Sequence, residues 1–359
     1  MRPSTPVGGG VQARASGADV AVVTNTPRPP IQHVNQPARM LAMIGPPCRR
    51  GQSPREGVGD AYHGVQRWPD MDRDTIWAHL VRGEPFNRRD LPQVDGRLDL
   101  RGLVTEGVTR VEGALWENID FSEAGLPRLQ LFRTTIRNCR FVNAKCRSWG
   151  MWGNTIEDTS FAKADLRDAG IGGIDGGRWN LLRRVDFAQT DLRGAMPGPA
   201  TFEHCTFDRA KLKKVEFRGS QMVDCQFIGP LEEVIFSSRA PRDTTTPPNQ
   251  MIDVDFSRAQ FRMVGFEKLA LDRVLWPDDD EHIVVDDYPA VVDRILARLE
   301  GQDDVRARSV LGLYSWHKKW LVPEQKKGVV SLWDLRKYGG QAMVDEILPL
   351  LRPDPSQRP

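Results

Sequence analysis

Val185-Asp186-Phe187-Ala188-Gln189 is followed at once by Thr190-Asp191-Leu192-Arg193-Gly194, two copies of one five-residue unit. In each copy a bulky apolar residue, here called the centre, follows a small or β-branched residue by two positions. A period of five fits neither the 3.6-residue turn of a helix nor the alternation of a strand, so it indicates a solenoid of repeating coils. Between Thr109 and Trp276 the clearest further copies are Ile119-Asp120-Phe121, Ala164-Asp165-Leu166, Ala210-Lys211-Leu212, Val215-Glu216-Phe217, Cys225-Gln226-Phe227 and Val254-Asp255-Phe256.

The unit also predicts which side chains face inward. A centre and its partner two positions earlier can share the interior only if the backbone turns a corner every five residues. The middle residue and the two residues after the centre then face solvent. These outward positions include Asp120, Lys213, Lys214 and Arg218, which agrees with the burial preferences of charged side chains.

The repeats resemble those of the pentapeptide-repeat family, whose A-(D/N)-L-x-x unit builds a right-handed, four-sided β-helix. The resemblance covers about half of the chain and implies an all-β solenoid, a right-handed quadrilateral parallel β-helix of about eight coils. If four units make one coil, residues twenty apart should stack on neighbouring coils. The residues with this spacing include Phe121 with Phe141 and Phe161, Cys205 with Cys225, and Phe236 with Phe256 and Trp276.

Interruptions of the coil are expected at several places. Gly172 to Gly177 is a glycine-rich loop after which the centres resume out of step, and Arg239 to Asn249 is predicted to leave the coil wall. Pro197 occupies a centre and predicts a local bulge or loop. Trp149 stands in a slot that otherwise holds small side chains, so either the corner there is widened or the register slips.

The segments before and after the coil are assigned from their composition and spacing. Residues 1–70 are rich in Gly, Pro, Arg and Ser and are expected to be a disordered leader. We hypothesise that this leader is dispensable and that Met71 is the true start. Residues 71–97 are interpreted as a helical cap and connector, 98–276 as the β-helix with loops near 172–178 and 237–250, 277–351 as a helical region and 352–359 as a disordered tail.

The C-terminal region shows helical spacing. Pro289 stands near the start of a first predicted helix, and a second is expected from Asp304 to Trp320. Ser331 with Asp334 resembles a capping box that opens a third helix, and Ala342 to Leu351 can form a fourth. The region is interpreted either as a plug on the last coil or as a docking module, with a homodimer through these helices left open.

The sequence lacks the usual patterns of catalytic and metal sites. Cys139, Cys146, Cys205 and Cys225 fall in inward positions and are interpreted as compact apolar side chains, although a disulfide between the last two is geometrically open. The run from Asp278 to His282 lacks the spacing of an EF-hand and is interpreted as a charged connector. A non-catalytic protein without a cofactor or metal is therefore expected.

The family resemblance also implies a partner. Some pentapeptide-repeat proteins resemble a DNA duplex in shape and charge and bind type II topoisomerases. The resemblance therefore implies a soluble, cytoplasmic interaction protein, not bound to a membrane, whose partner is DNA gyrase or topoisomerase IV. The charge departs from this pattern, because residues 98–276 carry 25 Lys and Arg against 24 Asp and Glu. A mimic of a polyanion should instead be strongly negative.

Basic side chains form the candidate interaction surface. Six of them fall between Glu123 and Glu157 with no acidic residue among them, and a second group surrounds Leu212. This pattern favours an alternative function, the binding of nucleic acid or another polyanion through basic bands on the coil, and a solvated surface without a partner also stays open. The candidate residues are Arg128, Arg133, Arg137, Arg140, Lys145, Arg147, Lys211, Lys213, Lys214, Arg218, Arg239 and Arg242.

Overall fold

The computed structural model of the protein describes residues 72–239 and 248–351. The expected leader 1–70, the tail 352–359 and most of the excursion predicted between Arg239 and Asn249 lie outside the described residues. The described part is a parallel β-solenoid of about eight turns followed by a few C-terminal helices, which confirms the predicted fold class.

The solenoid consists of short strands. They are β1 Gln93–Val94, β2 Arg97–Asp99, β3 Thr109–Glu112, β4 Leu115–Glu117, β5 Ile119–Asp120, β6 Leu129–Phe132, β7 Thr135–Arg137, β8 Gly150–Trp152, β9 Thr155–Glu157, β10 Ile174–Asp175, β11 Arg178–Trp179, β12 Leu181–Arg183, β13 Thr201–Glu203, β14 Thr206–Asp208, β15 Glu216–Arg218, β16 Gln221–Val223, β17 Gln226–Glu232, β18 Ile235–Ser237, β19 Val254–Arg262, β20 Gly265–Glu267 and β21 Val274–Leu275, followed by β22 His282–Val285 and β23 Gly328–Ser331 beyond the last coil.

Columns of paired strands define four faces. The first face contains the sheet β3-β6-β8 and later β15-β18-β20, and the second is the six-stranded parallel sheet β4-β7-β9-β12-β13-β16. The third face contains β2 and β5 and later β14-β17-β19-β21. On the fourth face, single parallel bridges connect successive coils through Gly125, Lys145, Asp165, Asp191 and Lys211.

The strand register confirms the predicted stacking at twenty residues for most of the coil. Thr135 pairs with Thr155, and Thr201 pairs with Gln221. Thr155, however, pairs with Leu181, 26 residues further on. The six additional residues are accommodated by the antiparallel hairpin of β10 and β11, which explains why the centres resume out of step. The prediction of stacking at twenty residues is wrong for Phe236 with Phe256, because the step there is 29–30 residues: Phe236 stacks on Phe266, and Phe256 stacks on Phe227.

Left-handed residues turn the corners. They stand two positions after the centre, so that Phe121 is followed by Glu123 with a φ of 62° and Leu166 by Asp168 with a φ of 60°. Both centres are fully buried, whereas both corner residues are exposed. The predicted assignment of inside and outside is therefore confirmed for these centres and corners. It is wrong for Asp120, which is buried and accepts the Ser122 N–H at 2.8 Å.

Stacked aromatic rings fill much of the interior. The rings of Phe121 and Phe141 lie 5.0 Å apart between centroids, and those of Phe141 and Phe161 lie 4.8 Å apart. Each such pair contributes about 0.5–1.5 kcal/mol beyond the burial of its area. Trp149 is also fully buried and packs edge-on against Phe141. The register does not slip beside it, since β6 and β8 pair in step.

Helices lie at both ends of the coil. At the start, Ile76 and Leu80 are buried, and the Trp116 indole N–H donates to the Leu80 carbonyl at 3.0 Å. No helix among the described residues is long and apolar enough to cross a membrane. The helices are α1 Arg73–Arg82, α2 Tyr288–Leu299, α3 Val305–Trp320, α4 Leu332–Gly339 and α5 Gln341–Ile347, with a 3-10 turn at Leu348–Leu351.

Side chains beyond the last coil satisfy its backbone groups. The Phe261 N–H donates to Nε2 of His282 at 2.9 Å, and the Met263 N–H donates to the Asp334 carboxylate at 2.9 Å. The Ser331 hydroxyl donates to the Phe261 carbonyl at 3.0 Å. His282 is buried, so it is a structural part of the interface between coil and cap and not a solvated residue of the charged connector.

Candidate interaction surface on the fourth face

The structure distributes the first predicted group of basic residues around one coil. Arg137 lies on the second face and Arg140 on the third, whereas Lys145 and Arg147 lie on the fourth. Arg133 occupies a left-handed corner between the first and second faces. Arg128 occupies the left-handed corner at the end of the fourth face, so this face receives three of the six members and the other three members are spread over the remaining faces.

On the second face, carboxylates of neighbouring coils pair with these cations. Arg137 lies 3.6 Å from Glu117 on one side and 3.2 Å from Glu157 on the other. Arg183 continues the column, at 3.2 Å from Glu157 and 2.7 Å from Glu203. Charges thus alternate along this face, and no strip of one sign is formed.

The other members outside the fourth face are paired in the same way. Arg140 lies 2.6 Å from Asp95, and Arg218 lies 2.6 Å from Glu216. Arg133 forms ion pairs with Glu112 and Asp175. Arg239 is exposed at the end of the described segment, and Arg242 lies outside the described residues.

Among these columns of charged side chains, like charges stack only on the fourth face. Four cations occupy the position directly after the centre on successive coils, and their side chains are 37–54% exposed. Backbone hydrogen bonds fix their order, because the Ser148 N–H donates to the Arg167 carbonyl at 2.9 Å and the Asp168 N–H to the Arg193 carbonyl at 3.2 Å. We call this set the basic column: Arg147, Arg167, Arg193 and Lys213.

A second column, of mixed sign, runs beside the basic column. Lys145 and Lys211 stand at its ends, and Asp165 and Asp191 stand between them. Asp165 lies 2.6 Å from Arg167, whose hydrogen bonds hold the pKa of Asp165 below its ordinary value. Arg193 pairs in the same way with Asp191 at 2.6 Å. Of the outer cations, Arg147 lies 2.8 Å from Asp168 and Lys213 forms an ion pair with Glu232, so all four cations of the basic column are partly neutralised.

The fourth face carries an excess of positive charge from Arg128 to Glu233. Among the described residues, no carboxylate lies within 4.0 Å of Arg128 or Lys145. The face has eight basic side chains and five acidic ones, a net charge of +3: Arg128, Lys145, Arg147, Arg167, Arg193, Lys211, Lys213 and Lys214 against Asp165, Asp168, Asp191, Glu232 and Glu233.

Two members of the basic column were not among the candidate residues. Arg167 and Arg193 each follow an aspartate by two positions, so no local run of positive charge marks them. These two residues can be found from the number of residues between stacked positions on neighbouring coils. A step of twenty residues from Arg147 reaches Arg167, and a step of 26, which includes the six-residue hairpin insertion, reaches Arg193.

An apolar groove of about 620 Å³ adjoins the C-terminal end of the basic column. It lies between α3 and the strands β15, β18 and β20, and its lining includes Ile235, Met263, Leu313 and Trp316. Lys214, Glu216 and Glu233 also line the groove, so charged side chains form one edge. Both glutamates are paired, Glu233 with Lys214 at 3.5 Å and Glu216 with Arg218 at 2.6 Å.

Reactive chemistry is not apparent in the described residues. They contain no group of three or more His, Cys, Asp or Glu side chains that could hold a metal ion. Cys205 and Cys225 are free thiols, and the Cys205 thiol donates to the Leu182 carbonyl at 3.3 Å. Burial raises the pKa of Cys139 to about 12, so this side chain stays a thiol and not a nucleophilic thiolate.

These features define a parallel β-solenoid of five-residue units with a few helices at its C-terminal end. No protein-family model matches the chain, and no curated protein matches it. The structure of full-length QnrB1, a plasmid-mediated fluoroquinolone resistance protein, is similar to 47% of this chain over 91% of its own length, with 18% identity and a TM-score of 0.18.

Two further structures are described as pentapeptide repeat proteins. Rfr23 from the cyanobacterium Cyanothece is similar to 46% of this chain over 90% of its own length, with 11% identity and a TM-score of 0.20. HetL from the cyanobacterium Nostoc, which is involved in heterocyst differentiation regulation, is similar to 58% of this chain over 98% of its own, with 14% identity and a TM-score of 0.18. Neither likeness bears on activity.

Proposed function

We propose that the protein is a non-catalytic scaffold that binds a partner protein through its fourth face. The observation that carries this proposal is the basic column. Like charges on neighbouring coils repel each other, and the second face avoids this repulsion by alternating its charges from Glu117 to Glu203. Carboxylates beside the basic column offset the repulsion there only in part, because the fourth face keeps a net charge of +3. An acidic partner surface would relieve that repulsion, and the rigid wall presents its cations with little ordering cost.

A protein partner explains the fourth face better than nucleic acid does. Asp165 and Asp191 stand beside the basic column and would repel a continuous array of phosphates. A protein surface that is mainly acidic but carries some basic groups can pair with both columns. The mixed signs therefore favour a protein over a polyanion of uniform charge.

Charge reversal tests the proposal. The double variant Arg147→Glu with Arg193→Glu should abolish the capture of partners from the native host, because both substitutions place acids in the basic column. The matched control is Arg137→Glu with Arg183→Glu on the second face, which changes the net charge equally. Loss of the same partners from both variants, at equal melting temperatures, would contradict a role specific to the fourth face.

The salt dependence of DNA binding distinguishes the proposed protein-binding scaffold from a nucleic-acid-binding protein. Duplex DNA binding is measured by fluorescence anisotropy at increasing salt, with the wild type and the fourth-face double variant. If the protein is a protein-binding scaffold, the wild type and the double variant should bind DNA equally weakly. Tight binding that falls steeply with salt and is lost in the double variant would replace the proposal with nucleic-acid binding.

We further propose that the partner is a type II topoisomerase, DNA gyrase or topoisomerase IV, in the cytoplasm. The support for this partner is the resemblance of the repeats. The near-neutral coil argues for contact with an acidic protein surface of the enzyme, and against replacement of DNA in its cleft. Purified protein should then change gyrase supercoiling or its sensitivity to a fluoroquinolone. No change in either, at molar excess, removes this partner.

A further inference from the structure

We infer that the apolar groove and the basic column together bind one extended partner segment, which carries a bulky apolar residue next to several acidic residues. The inference rests on the proposed function, because it names the chemistry of the partner at the same surface. Three observations support it: the shape of the groove, its lining and its continuity with the basic column.

The groove exists because α3 contacts the coil wall at only one of its ends. The Trp316 ring packs so closely on Gly265 that a Cβ there would lie 2.4 Å from a ring atom, so only glycine fits. Next to it, the Lys268 N–H donates to the Trp320 carbonyl at 2.9 Å. Towards the N-terminal end of α3, Leu313 and Ser309 face the wall across the open groove.

The lining suits a bulky apolar side chain. Ile235, Leu313 and Trp316 are only half-buried, and Met263 is 36% exposed. A volume of about 620 Å³ falls within the range of sites that enclose small ligands. Methionine adapts its shape to an incoming group, and an aromatic or aliphatic anchor in such a pocket commonly dominates the affinity of an interface.

The basic column begins at the edge of the groove. Glu233 contacts Lys214 on the groove edge at 3.5 Å and Lys213, the last member of the basic column, at 3.9 Å. From Lys213 to Arg147 the column covers three coil steps, about 14 Å, which is the length of about four extended residues. A segment anchored in the groove can therefore place about four acidic residues along the column.

The experiment uses the full-length chain and three synthetic peptides, with affinities measured by isothermal titration calorimetry. The first peptide carries Trp-Leu followed by Asp-Glu-Asp-Glu. In the second, Ser-Ser replaces the apolar anchor, and in the third, lysines replace the acids. We expect the first peptide to bind at least tenfold more tightly than either of the others. Equal affinities, or no binding of the first peptide, would overturn the inference.

Protein variants assign the binding to both parts of the site. Leu313→Ser and Met263→Ser should each weaken the first peptide about tenfold, and Lys213→Glu should weaken it similarly. Ser315→Asp, on an exposed position of α3, is the control and should leave the affinity unchanged. Unchanged affinity in both groove variants would overturn the inference. A similar loss of affinity in both variants would show that the effect does not come from misfolding of one of them.

The failure of this inference is distinguishable from failure of the proposed function. If the fourth-face double variant loses its partners while Leu313→Ser and Met263→Ser retain them, the proposed function stands and the groove has no part in it. If analytical ultracentrifugation shows a dimer that Leu313→Ser dissociates, the occupant is a second copy of the chain, and the inference is wrong.

Discussion

Asn154 shows how a polar side chain is tolerated in the interior of the coil. Its Nδ2 donates to the Leu131 carbonyl at 3.0 Å, one coil back, and its Oδ1 accepts the Thr134 N–H at 2.8 Å. Asn180, on the next coil, donates in the same way to the Met151 carbonyl at 2.9 Å. The inward slot therefore accepts a small polar residue wherever it can reach these backbone groups.

The substitution Asn154→Ala should cost about 1–3 kcal/mol of unfolding free energy, because it leaves the buried Thr134 N–H without its acceptor. Thr155→Ala, at the neighbouring half-buried position, should cost much less. Denaturant unfolding of both variants measures the difference. Equal losses would mean that the buried amide contributes nothing particular to the coil.

A second prediction concerns the aromatic stack. Phe141 has no exposed surface and stacks between two other rings, so Phe141→Ala should cost about 3–5 kcal/mol through the cavity it leaves. Arg137→Ala, on the outside of the same coil, should cost at most about 1 kcal/mol. Thermal and denaturant unfolding measure both. Small, equal shifts would contradict the assigned interior.

At the scale of single residues, the sequence predicts burial well and pairing poorly. Phe121 and Glu123 follow directly from the five-residue unit, because inside and outside are local properties of the repeat. The acid that pairs with Arg137 is twenty residues away, on the next coil. Such a pair can be found only after the coil length is known, and that length is not constant. The step is 26 residues before Leu181, 19 from Glu216 to Ile235 and 30 from Ile235 to Gly265.

Among the elements, the cap contains two titrating groups whose pKa values move in opposite directions. Burial lowers the pKa of His317 from 6.5 to about 4 and raises the pKa of Asp334 from 3.8 to about 6. The stability contribution of His317 is therefore complete above pH 6.5 and is lost as the pH falls towards 4. Asp334 acts oppositely, because it is destabilising when ionised and gains stability as the pH falls below 6.

Replacing the imidazole of His317 should show that, as the pH falls, its loss of stability offsets the gain from Asp334. His317→Gln keeps an acceptor for the Tyr288 hydroxyl but cannot be protonated. We expect the wild type to lose more stability than this variant when the pH falls from 6.5 to 4, as measured by melting temperature. His204→Gln, at an exposed histidine on a coil corner, is the control. Parallel pH profiles for the wild type and His317→Gln would contradict the assignment.

The helices of the cap were predictable, whereas its sheet was not. The spacing of apolar residues predicts the helices that begin near Pro289 and Asp304, because apolar residues recur at helical spacing along an amphipathic helix. The strands β22 and β23 contain four residues each and pair antiparallel across more than forty residues. Short strands show little periodicity, so their partner is set by packing on the last coil, which the sequence does not reveal locally.

For the whole molecule, the repeat determines the wall but not its electrostatics. The same unit builds the second face, where charges alternate, and the fourth face, where cations stack. The difference arises from which outward residues happen to lie one coil apart. The total of 25 basic and 24 acidic residues in 98–276 hides both patterns, so net charge alone misjudges what such a surface can bind.

The coil should also unfold in a manner that depends on position, because each turn contacts only its neighbours. The last turn relies on the cap for its backbone partners, through His282 and Asp334. The double variant His282→Ala with Asp334→Ala should therefore reduce hydrogen-exchange protection at Phe261 and Met263, while amides near Phe141 keep theirs. Mass spectrometry of exchanged peptides measures both regions in one experiment. Equal loss of protection along the whole coil would show instead that its turns unfold as a single cooperative unit.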